Sequence, residues 1–175
     1  MKTNYTFQKL SKISKKFPNL IAVRELTKEY TYKSFLDMAL NISNQILLKK
    51  KNPIIAIIGE KDILSYVSIF GVLKSGGTYI PISSQLPKKR IFKIISKAKA
   101  DIIICNSNKI SFYKKIFPKK IFFTEKNLTI KKNNHIKAPS KNNKLAYIIF
   151  TSGSTGEPKG VCVSRKSLDH YVRWL

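Results

Sequence analysis

Acidic residues are scarce in this chain. It has 9 aspartates and glutamates against 34 lysines and arginines, a formal net charge of +25 over 175 residues. Such a charge is typical of proteins that bind nucleic acid or an anionic membrane surface. Arginine is nevertheless rare, whereas base-reading surfaces favour arginine and single-strand binders add regularly placed aromatics. We therefore interpret the lysines as a solvated surface and expect no specific nucleic-acid partner.

Cysteine and histidine are also scarce, with two residues of each type. None of them has metal-ligand spacing, so the sequence predicts no metal site. Cys105 ends an apolar run and Cys162 lies in "GVCVS", and both are expected to be small buried residues in a reducing compartment. We assign no role to His135 or His170.

Long apolar runs are missing. No segment approaches the ~20 apolar residues that cross a membrane, and the start "MKTNYTFQKL" has no apolar core of the kind a signal peptide needs. Hydrophobic residues still make up 43% of the chain, enough for one domain with a sizeable core. We expect a globular cytoplasmic protein without a membrane span.

Predicted strands alternate with predicted helices along the chain. One helix begins after the N-cap Thr31, a second begins after the N-cap Asp62 and ends at Gly76, and a third opens at Pro87. The polar residues 125–144 are expected to be an exposed connection, and a last helix follows residue 164. Short apolar runs predict strands at 54–58, 78–82, 101–105, 121–124, 145–150 and 160–164. This order predicts an α/β fold with a mostly parallel sheet and helices on both faces.

A loop rich in glycine and hydroxyl side chains joins the last two predicted strands, in "FTSGSTGEPKGV". Its glycines permit positive φ and a close approach of the backbone. Its hydroxyls stand beside several backbone N–H groups, and together they form a donor-rich concavity for an anion. Lys159 adds a mobile positive charge, which suits a phosphate that moves during a reaction. The residues of this pattern are Thr151, Ser152, Gly153, Ser154, Thr155, Gly156, Lys159 and Gly160.

Two other interpretations of the loop fit less well. A P-loop places its second glycine five positions after the first and a serine or threonine after its lysine, whereas this chain has Pro158 and Gly160 there. A flexible glycine and serine linker is common. However, a linker has no need of an adjacent buried strand and an immediate return to apolar sequence. Phosphate binding is therefore the preferred hypothesis.

At these residues the chain resembles the adenylate-forming enzymes, which include nonribosomal-peptide adenylation domains, D-alanine carrier protein ligases, acyl-CoA synthetases and luciferases. "TSGSTGEPKGV" is similar to the phosphate-loop signature of that family throughout. "LKSGGTYIPISSQLPKKRIFKIISKAKADIIIC" resembles the second core motif, and "YTYKSFLDMALNISNQI" the first helical motif. The resemblance runs from about Arg24 to Leu175, and the "GGTYIPIS" phrasing is closest to the amino-acid activators.

The resemblance implies a chemistry and a site. A carboxylate, here an amino acid, attacks the α-phosphate of Mg²⁺-ATP, pyrophosphate leaves, and the acyl-adenylate passes to a thiol such as that of a phosphopantetheinyl carrier protein. Lys159 would be the catalytic residue, because it would neutralise charge on the departing pyrophosphate. The residues implied to bind the β- and γ-phosphates are Thr151, Ser152, Gly153, Ser154, Thr155, Gly156 and Lys159. Gly76, Gly77, Pro81 and Arg90 are expected to shape the fold.

The chain also departs from the family pattern. Ser83 stands where the family usually has aspartate, Ser34 where glutamate often closes a capping box, and Arg165 where histidine is frequent. Residues 1–175 are expected to be an incomplete N-terminal part of an AMP-binding adenylation domain, truncated before the magnesium-ligand motif and the C-terminal remainder. Such a fragment is expected to be inactive alone and to expose a sheet edge and an apolar face.

Three alternatives remain open at this point. The first is a fragment similar to acyl-CoA synthetases, and the second is a non-catalytic nucleotide-binding remnant. The third is a basic nucleic-acid-binding module, motivated by the net charge alone.

Overall fold

The computed structural model describes residues 5–128, 136, 144–152 and 157–174. Helices and strands alternate through most of this part, as the sequence predicts. The helices are α1 (Tyr5–Lys16), α2 (Tyr32–Lys49), α3 (Ile63–Ser75), α4 (Lys88–Lys97), α5 (Ser107–Ile116) and α6 (Arg165–Trp174). The strands are β1 (Ile21–Glu25), β2 (Lys28–Thr31), β3 (Ile54–Gly59), β4 (Thr78–Ser83), β5 (Ile102–Cys105), β6 (Ile121–Phe123), β7 (Leu145–Ser152) and β8 (Pro158–Ser164).

Six strands form one sheet in the order β6-β5-β3-β4-β7-β8, and β1 and β2 form a separate antiparallel pair. Every pairing in the six-stranded sheet is parallel except that of β7 with β8. The register places Ile55 of β3 between Tyr79 of β4 and Ile102 of β5. The predicted mostly parallel sheet is thus confirmed.

The central strand β3 is buried on both faces because its side chains alternate between two cores. Ile55 and Ile57 pack in a cluster with residues of α2 and α3, and Ala56 and Ile58 pack in a cluster with residues of α4 and α5. Each fully buried isoleucine contributes roughly 1.5–3 kcal/mol relative to an exposed one. A continuous apolar run therefore folds as a strand covered by helices on both sides.

The predicted helix ends are confirmed by their capping geometry. The Thr31 side chain accepts a hydrogen bond from the Ser34 amide at 3.2 Å, and Asp62 accepts one from the Ser65 amide at 2.7 Å. Gly76 ends α3 at φ 86°, a left-handed conformation that glycine adopts without strain. Caps and hydrophobic periodicity together fixed these two helices.

The sequence-based prediction lacks four helices and strands of the described part, namely α1, β1, β2 and α5. α1 buries Phe7 and Leu10 in a region whose lysines hide the periodicity. The β1–β2 turn has Leu26 at φ 45° in place of a glycine or asparagine, so it lacks the usual hairpin signal. α5 has no side-chain hydrogen bond at its N-cap Asn106 and buries only Tyr113.

Two smaller expectations need correction. Cys105 is buried as predicted, but Cys162 is exposed on β8, which is one of the two edge strands of the sheet. Pro87 is the N-cap of α4, one position before its first helical residue Lys88.

Much of the predicted connection 125–144 lies outside the described residues. Its start forms a 3₁₀ turn at Glu125–Leu128. Among the described helices, none is both long and apolar enough to cross a membrane.

Candidate phosphate-binding site

The β7–β8 hairpin places the two described ends of the predicted loop side by side. Thr151 pairs with Lys159 and Ser152 with Pro158 in the antiparallel register. The Thr151 hydroxyl donates to the Lys159 carbonyl oxygen over 3.5 Å, and both residues are exposed. The hairpin therefore brings one hydroxyl and one ammonium group of the predicted set to the same accessible place.

The remaining predicted residues divide as follows. The backbone of Ser152 is described as the last residue of β7. Gly153, Ser154, Thr155 and Gly156 lie outside the described residues. Their assignment to the β- and γ-phosphates stays a prediction.

The site lies at the edge of the sheet where ligands of α/β proteins bind. β7 runs parallel to β4, with Tyr79 paired to Tyr147, so both strands end at the same edge. α3 and α4 follow β3 and β4 and pack on opposite faces, which opens a crevice beyond the ends of these two strands. Thr151 is at the end of the next strand along this edge.

A carboxylate with two serines occupies the crevice beyond β3 and β4. Glu60 Oε1 accepts hydrogen bonds from the Ser83 hydroxyl at 3.0 Å and the Ser84 hydroxyl at 2.7 Å. The hydrogen bonds from Ser84 and Ser83 lower the pKa of Glu60. Sequence reasoning noted Ser83 only as a departure from the family pattern. The structure shows that the Ser83 hydroxyl donates to Glu60 at the turn that follows β4.

Packing favours glycine at position 160, and no positive φ requires it. Its backbone does not adopt a left-handed conformation. A Cβ at this position would lie 3.0 Å from Ile148 Cγ2 and 3.2 Å from Phe150 Cζ. β8 thus faces the α4 side of the sheet at Gly160, and strand alternation directs Lys159 and Val161 to the opposite face.

That opposite face of the hairpin carries an exposed apolar pair. Ile149 and Val161 are cross-strand partners and are 44% and 54% exposed. This pair agrees with the expected uncovered apolar face. Nearer to the start of β7, the rings of Tyr79 and Tyr147 lie 5.2 Å apart, and burial raises the pKa of Tyr79.

Arg165, which follows β8 directly, connects the far end of the hairpin to the C-terminal end of α3. Its side chain is only 6% exposed, and Nη1 donates to the Leu73 carbonyl at 3.1 Å while Nη2 donates to the Gly77 carbonyl. Burial lowers its pKa, against the charge of Asp169, which raises it. Because these carbonyls lie at the end of α3, the cation also complements the helix dipole.

Glu157, the acidic residue of the loop motif, forms an ion pair with a lysine of α4. Glu157 Oε1 lies 2.5 Å from Nζ of Lys93 on α4. The hydrogen bond from Lys93 and its charge lower the pKa of Glu157, and Lys97 adds to the effect. Since 64 residues separate the partners, no local signal in the sequence predicts the contact.

Carboxylates, thiols and imidazoles do not gather into a metal site here. In the part of the chain that the structure describes, no three such residues are grouped as metal ligands.

The chain belongs to the AMP-binding enzyme family, whose sequence pattern matches residues 10–175. It is 32% identical over 160 residues to gramicidin S synthase 1 of Brevibacillus brevis, covering 89% of this chain and 14% of that protein. It is 33% identical over 158 residues to the D-alanine–D-alanyl carrier protein ligase of Staphylococcus aureus, covering 90% of this chain and 32% of the ligase. The chain thus spans a third or less of the length of these relatives.

Solved structures share the fold. VinN in complex with 3-methylaspartate superposes with a TM-score of 0.84 at 17% identity, over 98% of this chain and 50% of that chain. The N-terminal subdomain of Klebsiella oxytoca NpsA in complex with 3-hydroxyanthranilyl-AMSN gives 0.75 at 22% identity, over 95% and 41%. The predicted likeness to the N-terminal part of an adenylate-forming enzyme is confirmed at the level of family and fold.

Proposed function

We propose that this chain supplies the phosphate-binding part of an ATP-dependent enzyme that adenylates an amino acid and passes it to a carrier protein. The observation that carries the proposal is the β7–β8 hairpin, in which Thr151 and Lys159 are exposed cross-strand partners at the sheet edge where β4 and β7 end. Family membership and the amino-acid and carrier-protein names of the relatives support the substrate class.

In the proposed reaction, a carboxylate oxygen of the amino acid forms a bond to the α-phosphorus of ATP. The bond from that phosphorus to the bridging oxygen breaks, and its electrons leave with pyrophosphate. Negative charge therefore grows on the β-phosphate side, where the ammonium of Lys159 and the donors of residues 151–156 are proposed to lie. Thr151 contributes a hydroxyl donor, and the loop backbone contributes N–H groups.

Magnesium accompanies ATP in enzymes of this chemistry, where it neutralises phosphate charge. Because the described residues form no group of metal ligands, we assign none of them to the ion. The assignment of residues 1–175 to the N-terminal part of an adenylation domain stays a prediction, as does a cytoplasmic location for an enzyme that uses ATP.

Binding of Mg²⁺-ATP to the 175-residue chain, measured by isothermal titration calorimetry, tests the phosphate site. Lys159→Ala should weaken binding about tenfold or more, because a charge-assisted contact to phosphate contributes roughly 1.5–3 kcal/mol. Lys166→Ala is the matched control, since it removes the same charge from an exposed position on α6. Equal affinities for the two variants would contradict the proposed role of Lys159.

Amino-acid-dependent exchange of radiolabelled pyrophosphate into ATP tests the reaction itself. We expect no exchange by these 175 residues alone, in line with the predicted inactivity. Exchange by the isolated chain would overturn that expectation. ATP binding without exchange even in a longer protein that includes this chain would favour the nucleotide-binding remnant.

A further inference from the structure

Glu157 is the one acidic residue in the loop motif from Tyr147 to Val161. It stands two positions before Lys159, which corresponds to about 7 Å along an extended chain. If the phosphates of a bound nucleotide lie at about this distance, an unpaired Glu157 carboxylate would weaken their binding by about threefold per unit charge in water. Pairing Glu157 with a cation would remove this repulsion from a phosphate site.

The structure places a cation beside Glu157, namely Lys93 of the helix α4. Lys93 lies on the exposed face of α4, and its Nζ is 2.5 Å from Glu157 Oε1. The opposite face of α4 is anchored in the core by Ile91, Ile94 and Ile95, which are at most 2% exposed. A side chain fixed to such a helix can hold a loop residue in place.

The ion pair acts where the chain leaves the loop. Glu157 is followed by the buried Pro158, the first residue of β8, which pairs with Ser152 across the hairpin. Lys159 comes next and points to the face away from α4. The ion pair therefore lies directly before the first residue of β8 and two positions before Lys159.

We infer that Lys93 is a positioning residue of the phosphate loop, which neutralises Glu157 and holds the base of the loop against α4. The inference deepens the proposed function and rests on it for the nucleotide. The Lys93–Glu157 ion pair itself does not depend on ATP. Its effect on the hairpin and its effect on nucleotide affinity are therefore measured separately.

The first experiment measures the effect of the ion pair without nucleotide. Lys93→Met should raise the pKa of Glu157 in carboxyl-detected NMR and speed hydrogen exchange of the amides of Ile149 to Ser152 and of Lys159 about two- to fivefold, the range for an exposed ion pair. Lys89→Met is the matched control, because it removes an equal charge from the same helix, outside the ion pair. The charge-swapped pair Lys93→Glu with Glu157→Lys should restore slow exchange. If Lys93→Met and Lys89→Met give the same hydrogen-exchange rates and the same pKa of Glu157, the inferred role of the Lys93–Glu157 ion pair is wrong.

The second experiment measures the dissociation constant of Mg²⁺-ATP by calorimetry. Lys93→Met should weaken binding about threefold more than Lys89→Met does. Adding Glu157→Gln to Lys93→Met should return the affinity to within about twofold of that of Lys89→Met, because the unpaired charge is gone. If the double variant stays as weak as Lys93→Met, Lys93 contacts the nucleotide itself and the inference is overturned. If the wild-type chain binds no ATP, the proposed function fails. The hydrogen-exchange experiment still tests whether Lys93 holds Glu157 in place.

Discussion

Gly71 lies where α3 packs against α2, and its replacement by alanine tests the close approach of these two helices. A Cβ at Gly71 would lie 2.7 Å from Ile42 Cγ2 and 2.9 Å from the carbonyl oxygen of Ala39. Ordinary van der Waals contact begins at 3.4 Å, so α3 would have to move away by several tenths of an ångström. Ile42 and Ala39 are both 0% exposed and have no free space to enter.

Two effects of Gly71→Ala oppose each other. Alanine in a helix interior is favoured over glycine by about 1 kcal/mol. Overpacking of a well-packed core costs roughly 1–3 kcal/mol. Because one clashing atom is a backbone carbonyl that cannot rotate away, we place the steric cost at the upper end. The free energy of unfolding should therefore fall by about 1–2 kcal/mol.

Urea denaturation followed by circular dichroism measures this change, and the melting temperature should fall by about 2–8 °C. Ser96→Ala on the exposed face of α4 is the control, because it changes helix propensity without touching the core. It should alter stability by less than about 0.5 kcal/mol. A Gly71→Ala protein as stable as the wild type would show that the α2–α3 contact is looser than the structure indicates.

The other predictions concern the two cysteines and the β1–β2 turn. A thiol reagent should label Cys162 in the folded protein and Cys105 only after unfolding, because Cys162 is exposed and Cys105 is buried. Burial raises the pKa of Cys105 to about 11 from an ordinary value of 9.0. Its contribution to stability is therefore complete below pH 9 and is lost as the pH rises towards 11, a dependence that Cys105→Ala should reduce. Leu26→Asn should stabilise the protein by about 1 kcal/mol in urea denaturation, because Leu26 is 99% exposed at φ 45° and asparagine tolerates this conformation. Reactive Cys105 in the folded state, or a destabilised Leu26→Asn variant, would refute the corresponding argument.

The sequence by itself determined the elements with strong local signals. β3 and β5 are continuous apolar runs, and α3 has both a capping aspartate, Asp62, and a glycine stop, Gly76. The loop motif likewise identified the family, because its glycines, hydroxyls and lysine stand at fixed spacing and need no tertiary contact to be recognised. α1, α5 and the β1–β2 turn carry weaker local signals, so tertiary packing decides them.

Only the tertiary structure decided which side chains surround the loop. Strand order brings β4 beside β7 although 61 residues lie between Ser83, the end of β4, and Leu145, the start of β7. The same chain path joins Lys93 to Glu157 and buries Arg165 against the end of α3. Such contacts follow from the crossovers of a parallel sheet, which pair residues far apart in sequence. Cys162 is exposed for a related reason, since an apolar-looking strand is buried on both faces only when other elements cover it.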